Sequence, residues 1–184
     1  YSRQLPQTSH FRPIQDLIAS GSGAVISGIP GCGKTTLLMQ LATQTSFDGP
    51  KLVFDSLAES QAELIKRKLS NKKALIFLDN VASDIRSLEI LSKEPNIVVV
   101  AADRDYNLGS VSNRLRSSGL PIRAASSLTD ADVQKIWQAI PVRIRSRART
   151  DPRMEGDLTS SAIEFVMANV ESTDLVSKLV DSIH

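Results

Sequence analysis

The sequence predicts an α/β fold, in which helices cover both faces of a parallel sheet and a small all-helical subdomain follows. Short apolar stretches alternate with helix-forming ones as far as Ala124. This alternation is typical of a parallel sheet, whose strands are buried on both faces. Beyond Leu128 the apolar residues recur only at helical spacing. We therefore expect an α/β domain over residues 1–128 and a helical subdomain over residues 129–184.

The elements follow in order along the chain. A short helix is predicted over residues 11–18, and the turn at residues 20–23 leads into the first strand. The predicted strands cover residues 24–27, 51–54, 74–78, 97–101 and 121–124. Between them, helices are predicted after the first strand and over residues 58–69 and 85–91. In the tail, Thr129 is the predicted N-cap of a helix that ends at Pro141, and further helices are predicted over residues 159–169 and 173–183.

Composition narrows the class of protein without identifying it. The chain has 184 residues, of which 41% are hydrophobic and 23% charged, as is ordinary for a soluble globular protein. A net charge of +2 is too small to indicate nucleic acid or a membrane by itself. A single cysteine excludes an internal disulfide framework and fits a cytoplasmic location. No apolar run has membrane-spanning length, and the first residue, Tyr1, suggests a fragment of a larger chain.

A glycine-rich turn joins the first strand to the next helix. Gly28 is followed by four residues and then by Gly33-Lys34-Thr35, the spacing of a phosphate-binding loop in its required strand-to-helix setting. Bare backbone N–H groups and the helix N-terminus suit the oxygens of a nucleotide. We expect Lys34 to reach the β- and γ-phosphates and Thr35 to ligate Mg²⁺. The predicted nucleotide-binding residues are Gly28, Ile29, Pro30, Gly31, Cys32, Gly33, Lys34, Thr35 and Thr36.

An aspartate ends the third predicted strand. Asp79 follows four or more buried strand residues, a position from which a carboxylate can hold a Mg²⁺-bound water beside Thr35. The next residue is Asn80, although many ATPases carry there a glutamate that polarises the attacking water. An amide cannot accept a proton, so we expect slow or partner-dependent hydrolysis.

Two further positions have two interpretations each. Arg104 follows the fourth predicted strand and would respond to the γ-phosphate, or it belongs to a surface cluster with its neighbouring aspartates. With Lys34 and Asp79, it completes the predicted catalytic set. Cys32 lies inside the loop, where the helix dipole and Lys34 would lower the pKa of its thiol, or it is a small residue that fits.

Three segments in order carry a family resemblance: GIPGCGKTTLLMQLA, ALIFLDNVASD and IVVVAADRD. Together they resemble the STAND class of P-loop signalling ATPases, related to the NB-ARC modules of immune receptors and to bacterial defence NTPases. The resemblance implies that Asp79 holds Mg²⁺, that Arg104 ends a sensor strand, and that this strand lies between the other two. The helical tail resembles the family's first lid subdomain, but it lacks the Gly-Leu-Pro motif that contacts adenine.

From these features the sequence predicts an ATP- or ADP-binding switch in the cytoplasm, with Mg²⁺ and a nucleotide as its ligands. The resemblance implies other domains of a larger chain and a nucleotide-dependent oligomer as partners. The alternative is an AAA+-like motor or loader that acts on nucleic acid. Its partner would bind a run of basic residues, Arg143, Arg145, Arg147 and Arg149, which otherwise form a solvated connector. A kinase and a scaffold with a structural nucleotide are further alternatives.

Overall fold

The computed structural model describes residues 6–30, 32–125 and 128–139. Helices and strands alternate along these residues. The strands are β1 (Ala24–Gly28), β2 (Lys51–Phe54), β3 (Ala74–Leu78), β4 (Ile97–Arg104) and β5 (Ile122–Ala124). The helices are α1 (Phe11–Ala19), α2 (Lys34–Gln44), α3 (Glu59–Lys68), α4 (Ile85–Leu91), α5 (Asp105–Ser110), α6 (Ser112–Ser117) and α7 (Asp130–Ala139). A 3₁₀ turn over Val81–Asp84 leads from β3 into α4.

The five strands form one parallel sheet in the order β2-β3-β4-β1-β5. The strand β4 therefore lies between β1 and β3, as the family resemblance implied. Its register with β1 places Asp103 opposite Ser27 and Arg104 opposite Gly28. The carboxyl ends of β1, β3 and β4 consequently meet at one edge of the sheet, which is where ligands of such sheets bind.

Both faces of the sheet are covered, as predicted. Along β3, Leu75 and Phe77 face one apolar cluster, which also contains residues of α1 and α2. Ile76 and Leu78 face a second cluster, to which α3 and α4 contribute. All five residues of β3 are buried. Because burial of one such side chain contributes roughly 1.5–3 kcal/mol, these central strands dominate the stability of the sheet.

The two edge strands differ from the buried pattern that the sequence predicts. Residues of β2 alternate between exposed and half-buried, and all three residues of β5 are exposed. Each of these strands pairs with a single neighbour, β3 for β2 and β1 for β5. An edge strand has less of its surface covered than a central one, which accounts for the difference.

Two local features differ from the elements that the sequence predicts. The strand β4 continues to Arg104, three residues beyond the predicted end at Ala101. The short helices α5 and α6 fill a segment for which no helix was predicted.

Gly23 lies directly before β1 and packs closely against β4. A Cβ atom at Gly23 would lie 2.1 Å from the carbonyl oxygen of Val99 in β4, so only glycine fits at this position.

The helix α7 begins as the sequence predicts. The hydroxyl of Thr129 accepts a hydrogen bond from the Asp132 N–H at 3.1 Å, and the Asp132 carboxylate accepts one from the Thr129 N–H at 3.2 Å. These two reciprocal hydrogen bonds cap the N-terminus of α7 and stabilise its first turn. The remainder of the predicted helical subdomain, from Pro141 through residues 159–169 and 173–183, lies outside the described residues.

Candidate functional site

The glycine-rich loop connects the end of β1 to the start of α2. Gly28 is the last residue of β1 and is buried. Gly33 precedes α2 with φ at 89°, a left-handed conformation that favours glycine, and its carbonyl accepts the Leu37 N–H at 2.8 Å. Within the loop Ile29 is half-buried and Pro30 exposed, and Thr36 lies half-buried in the first turn of α2. Gly31, also predicted to contact phosphate, lies outside the described residues.

The ammonium group of Lys34 lies across this loop. Its Nζ donates hydrogen bonds to the carbonyl oxygens of Gly28 at 2.9 Å and Ile29 at 2.8 Å. The same nitrogen is 3.7 Å from the Sγ atom of Cys32. The positive charge is thus held over the loop by neutral acceptors. A phosphate oxygen, which carries negative charge, is a stronger acceptor for the same donors.

The loop and the end of β3 meet through one contact. The Thr35 hydroxyl, in the first turn of α2, donates to Oδ2 of Asp79 at 2.5 Å, across 44 residues of sequence. The other carboxylate oxygen of Asp79 accepts the Asn80 N–H at 3.0 Å. A hydroxyl and a carboxylate side by side are hard oxygen ligands, which fit Mg²⁺ in a site that keeps several waters. The residues predicted to hold the metal are therefore adjacent.

No group of three or more His, Cys, Asp or Glu side chains could hold a metal ion by itself within residues 6–30, 32–125 and 128–139. A magnesium ion held here by Thr35 and Asp79 would have two protein ligands. That arrangement is usual where a nucleotide's phosphates supply the remaining oxygens.

Asn80 interrupts the regular backbone directly after Asp79. Its φ of 51° and ψ of 42° lie in the left-handed region, which among described non-glycine residues occurs only here. Asparagine adopts this conformation more readily than most residues. The Asn80 carbonyl accepts the Ser83 hydroxyl at 2.8 Å, so the residue forms the entry to the 3₁₀ turn.

Arg104 lies at the same edge of the sheet, beside the start of the loop. Its guanidinium Nη1 donates to the Tyr106 hydroxyl at 2.6 Å, and its Cζ lies 5.9 Å from the centre of that ring. Arg104 forms no ion pair with a carboxylate of the described residues. The surface Arg–Asp cluster, one of its two predicted interpretations, therefore contains no ion pair between Arg104 and the neighbouring aspartates. The side chain is exposed and bonded to a neutral group.

Three other carboxylates lie near this edge, and two of them are engaged by backbone. Asp84 accepts the N–H of Leu57 at 3.1 Å. Asp103 is buried and accepts the N–H of Ala82 at 2.7 Å. The third, Asp105, is exposed and accepts the Ser27 hydroxyl.

The sequence placed Asp105 only among the aspartates beside Arg104, and it gave no role to Ser27. The available signal was the polar run directly after β4, because such residues emerge at the ligand-binding edge of a parallel sheet. What the sequence did not contain was the partner of each side chain, which depends on the register of β4 against β1.

Cys32 differs from one of its predicted interpretations. Burial raises the pKa of its thiol above the ordinary value of 9.0, and the nearby Lys34 charge offsets this only in part. A lowered pKa was expected from the helix dipole and the lysine. That expectation is wrong because the thiol is removed from water, which disfavours the thiolate. The other interpretation, a small residue that fits the loop, agrees with its 5% exposure.

A comparison of sequences identifies related proteins. The profile of a family described as novel STAND NTPase 3 matches residues 6–99, just over half of the chain. The DNA repair protein RadA of Chlamydia trachomatis is 29% identical over 84 residues, which cover 44% of this chain and 18% of RadA. The chain therefore spans less than a fifth of the length of that curated relative.

Solved structures share the fold. The yeast Hsp104 complex with casein in its extended conformation matches with a TM-score of 0.57 and 15% identity, over 79% of this chain and 32% of that one. A variant of RuvB from Thermotoga maritima matches with a TM-score of 0.52 and 18% identity, over 94% of this chain and 66% of that one. At these identities the likeness establishes the architecture alone. Among the described residues, none of the helices combines the length and apolarity that crossing a membrane requires.

Proposed function

The chain belongs to the novel STAND NTPase 3 family, and it is therefore a P-loop NTPase module. We propose that this module is a switch operated by ATP or ADP, with slow or partner-dependent hydrolysis. The observation that carries the proposal is the contact between Thr35 and Asp79 at 2.5 Å. It supports a common Mg²⁺ site built from the phosphate loop and the end of β3. We further propose that the switch serves a larger signalling or defence protein, whose other domains and nucleotide-dependent oligomer would read its state.

Each residue of the site has a distinct part in this proposal. The loop backbone from Gly28 to Gly33 and the N-terminus of α2 would bind the phosphates. Lys34 would exchange its two carbonyl acceptors for β- and γ-phosphate oxygens, and Thr35 and Asp79 would hold Mg²⁺. When bound, the metal neutralises charge on the phosphates. Arg104 would exchange the Tyr106 hydroxyl for the γ-phosphate, so that its position differs between the triphosphate and the diphosphate.

Slow hydrolysis is supported by the residue after Asp79 and by two of the three other carboxylates near the site. Asn80 offers no proton acceptor, and Asp84 is held by the backbone N–H of Leu57. Asp103 is buried under three hydrogen-bond donors. A general base typically contributes 10²–10⁴-fold to such a step, and its absence would leave the bound triphosphate long-lived.

The proposal is tested by nucleotide binding to the Lys34→Ala variant. A fluorescent ATP analogue, titrated in the presence of Mg²⁺, should bind the wild type and show no measurable binding to the variant. Lys73→Ala is the matched control, because Lys73 is exposed and precedes β3 at the opposite edge of the sheet. Equal affinity of a folded Lys34→Ala protein and the wild type would sink the proposal.

A motor or loader that acts on nucleic acid is the second candidate. It is favoured by the similarity to RadA, which is described as a DNA repair protein. The arginines that would carry this activity, Arg143 to Arg149, lie outside the described residues. DNA binding that weakens steeply with salt, and disappears when Arg145, Arg147 and Arg149 are replaced together, would favour this candidate.

A further inference from the structure

A buried carboxylate lies one residue before the end of β4. Asp103 is 2% exposed and stands opposite Ser27 in the register of the sheet. No lysine or arginine of the described residues forms an ion pair with it. Burying a carboxylate without a cation costs free energy unless hydrogen bonds compensate it, so its partners have to explain its presence.

Three donors surround this carboxylate. Oδ2 accepts the N–H of Ala82 at 2.7 Å, and Oδ1 accepts the N–H of Arg104 and the side-chain amide of Asn107, each at 2.7 Å. These donors belong to the 3₁₀ turn, to β4 and to α5 respectively. One side chain therefore ties three elements together at the edge where the phosphate loop lies.

The contact with Ala82 reaches Asp79 through a short and constrained path. Ala82 is the second residue of the 3₁₀ turn and stands three residues after Asp79. Between them Asn80 holds its left-handed conformation and donates its N–H to Oδ1 of Asp79 at 3.0 Å. The backbone of Asp79 is itself fixed, because its N–H donates a hydrogen bond to the carbonyl oxygen of Phe54 at 2.9 Å. A displacement of the turn would therefore move the donor that orients the Asp79 carboxylate.

We infer that Asp103 is a positioning residue, which sets the orientation of the Asp79 carboxylate toward Mg²⁺ by anchoring the turn at Ala82. This inference rests on the proposed function, since it assigns Asp79 to the metal. Asp103 does not itself activate water, because it is 2% exposed and its oxygens accept three hydrogen bonds from protein donors. Thr35 and Asp79 would contact the metal, whereas Asp103 acts on Asp79 through the 3₁₀ turn and does not contact the metal.

The test compares nucleotide affinity with and without the metal in Asp103→Asn. An amide has the size of the carboxylate but replaces one acceptor oxygen with a donor. When the amide oxygen keeps the two donors of Oδ1, Arg104 and Asn107, the NH₂ group faces the N–H of Ala82 and cannot accept its hydrogen bond. Loss of a partner that orients a metal ligand typically weakens metal affinity about 10–100-fold. We expect the Mg²⁺ concentration for half-maximal tightening of fluorescent ADP binding to rise at least about tenfold. Affinity in EDTA should stay within about twofold, because the loop and Lys34 are intact.

Two controls separate positioning from general destabilisation. Asp132→Asn changes another buried aspartate held by several hydrogen bonds, and it should leave the Mg²⁺ dependence unchanged. Asn107→Ala removes one donor to Asp103 without touching Ala82, and it should shift the Mg²⁺ midpoint less than Asp103→Asn. If Asp103→Asn does not fold, Asp103→Ser carries the same prediction with a smaller side chain.

The outcomes distinguish this inference from the proposed function. A folded Asp103→Asn protein with the Mg²⁺ midpoint of the wild type would overturn the inference and leave the proposed function standing. A wild type that binds no nucleotide in either buffer would overturn both. An equal loss of nucleotide affinity with Mg²⁺ and in EDTA by Asp103→Asn would also overturn the inference. That result would mean that Asp103 affects the phosphate loop and not the metal site.

Discussion

Asn80 occupies the position directly after Asp79, and its backbone has a φ of 51° and a ψ of 42°. This left-handed conformation is strained for residues with a Cβ, and less so for asparagine than for most. In the sequence, Asn80 stands where many ATPases carry a glutamate that polarises the attacking water. The structure adds a reason for the residue, since the chain must turn sharply at this point to enter the 3₁₀ turn.

The first prediction follows from that conformation. Asn80→Ala should lower the free energy of unfolding by about 1 kcal/mol, because alanine has a higher cost in the left-handed region. Asn80→Gly should stay within about 0.5 kcal/mol of the wild type, since glycine has no such cost. Urea unfolding of the three proteins measures both values. Equal stability of the alanine and glycine variants would show that the backbone conformation at Asn80 is not a constraint.

The second prediction concerns Cys32, the one cysteine of the chain. Its thiol lies in the phosphate loop, 3.7 Å from the Lys34 ammonium and already largely buried, so bound nucleotide should remove its remaining access and slow its alkylation further. Because burial raises its pKa above 9.0, the labelling rate of the free protein should still be rising as the pH passes that value. Labelling rates with and without MgADP, measured across this range, test both parts. Identical rates with saturating nucleotide would place the thiol away from the ligand.

At this scale the sequence predicted candidate site residues, whose roles stay a prediction, and missed the contacts that support them. Lys34, Thr35 and Asp79 could be found because the loop spacing and a strand-terminal aspartate are local patterns. The bonds of Asp103 could not, because its donors come from a turn 21 residues earlier and from α5. The raised pKa of Cys32 was equally inaccessible, since burial depends on packing around the loop.

Among the elements, the strands followed the sequence closely and two helices did not. The predicted bounds of β2, β3 and α4 agree with the structure at every residue. The helices α5 and α6 lie in a segment rich in serine, glycine and asparagine, which are weak helix formers. A helical signal was nevertheless present in Leu108, Val111 and Leu115, whose spacing places them on one face. Packing of these side chains in the second apolar cluster outweighs the poor local propensity.

A second element-scale feature joins the two ends of the described chain. The carboxylate of Asp132, in the first turn of α7, accepts both the N–H and the hydroxyl of Ser9, at 2.8 and 2.6 Å. Thr129 adds donors from its own N–H and hydroxyl. The start of α7 is thereby tied to the segment that precedes α1.

The third prediction is the pH dependence of this connection. Burial raises the pKa of Asp132, but hydrogen bonds from Ser9 and Thr129 lower it more, and the result lies below the ordinary 3.8. A group whose pKa is lower in the folded state stabilises it above the unfolded pKa, and that contribution is lost as the pH falls through the folded value. The stability difference between the wild type and Asp132→Asn should therefore be largest near neutral pH and shrink below about pH 4.

Unfolding free energies of the two proteins between neutral and acid pH measure this difference. Ser9→Ala is the matched control, because it removes a hydroxyl donor and leaves the carboxylate in place. A difference between the wild type and Asp132→Asn that does not change with pH would show that the charge of Asp132 contributes nothing to the connection.

For the whole molecule, the order of strands determines where function is placed. The strand β4 lies between β1 and β3, so the phosphate loop, Arg104 and Asp79 emerge from three adjacent strands. The sequence predicted the parallel sheet and the two covered faces from apolar patterning. The order itself came only from the family resemblance, since patterning does not determine which strands are neighbours. The division at residue 128 stays a prediction, because the chain beyond Ala139 lies outside the described residues.

The fourth prediction is that the module retains the triphosphate that it binds. The groups for binding are in place at the loop, whereas the position after Asp79 lacks a proton acceptor. A switch needs its ATP state to persist, and a motor needs it to be consumed. The lifetime of bound ATP therefore separates the proposed switch from the alternative more directly than affinity does.

A single-turnover experiment measures that lifetime, with protein and Mg²⁺ in excess over γ-labelled ATP and with Lys34→Ala to define the background. The proposed function predicts that most of the label remains in ATP for longer than bound nucleotide takes to dissociate, and that Asn80→Glu, if it folds despite the backbone strain, shortens this time. Complete release of labelled phosphate by the unmodified chain before the nucleotide dissociates would contradict it, and would direct attention to the exposed carboxylate of Asp105 beside the loop.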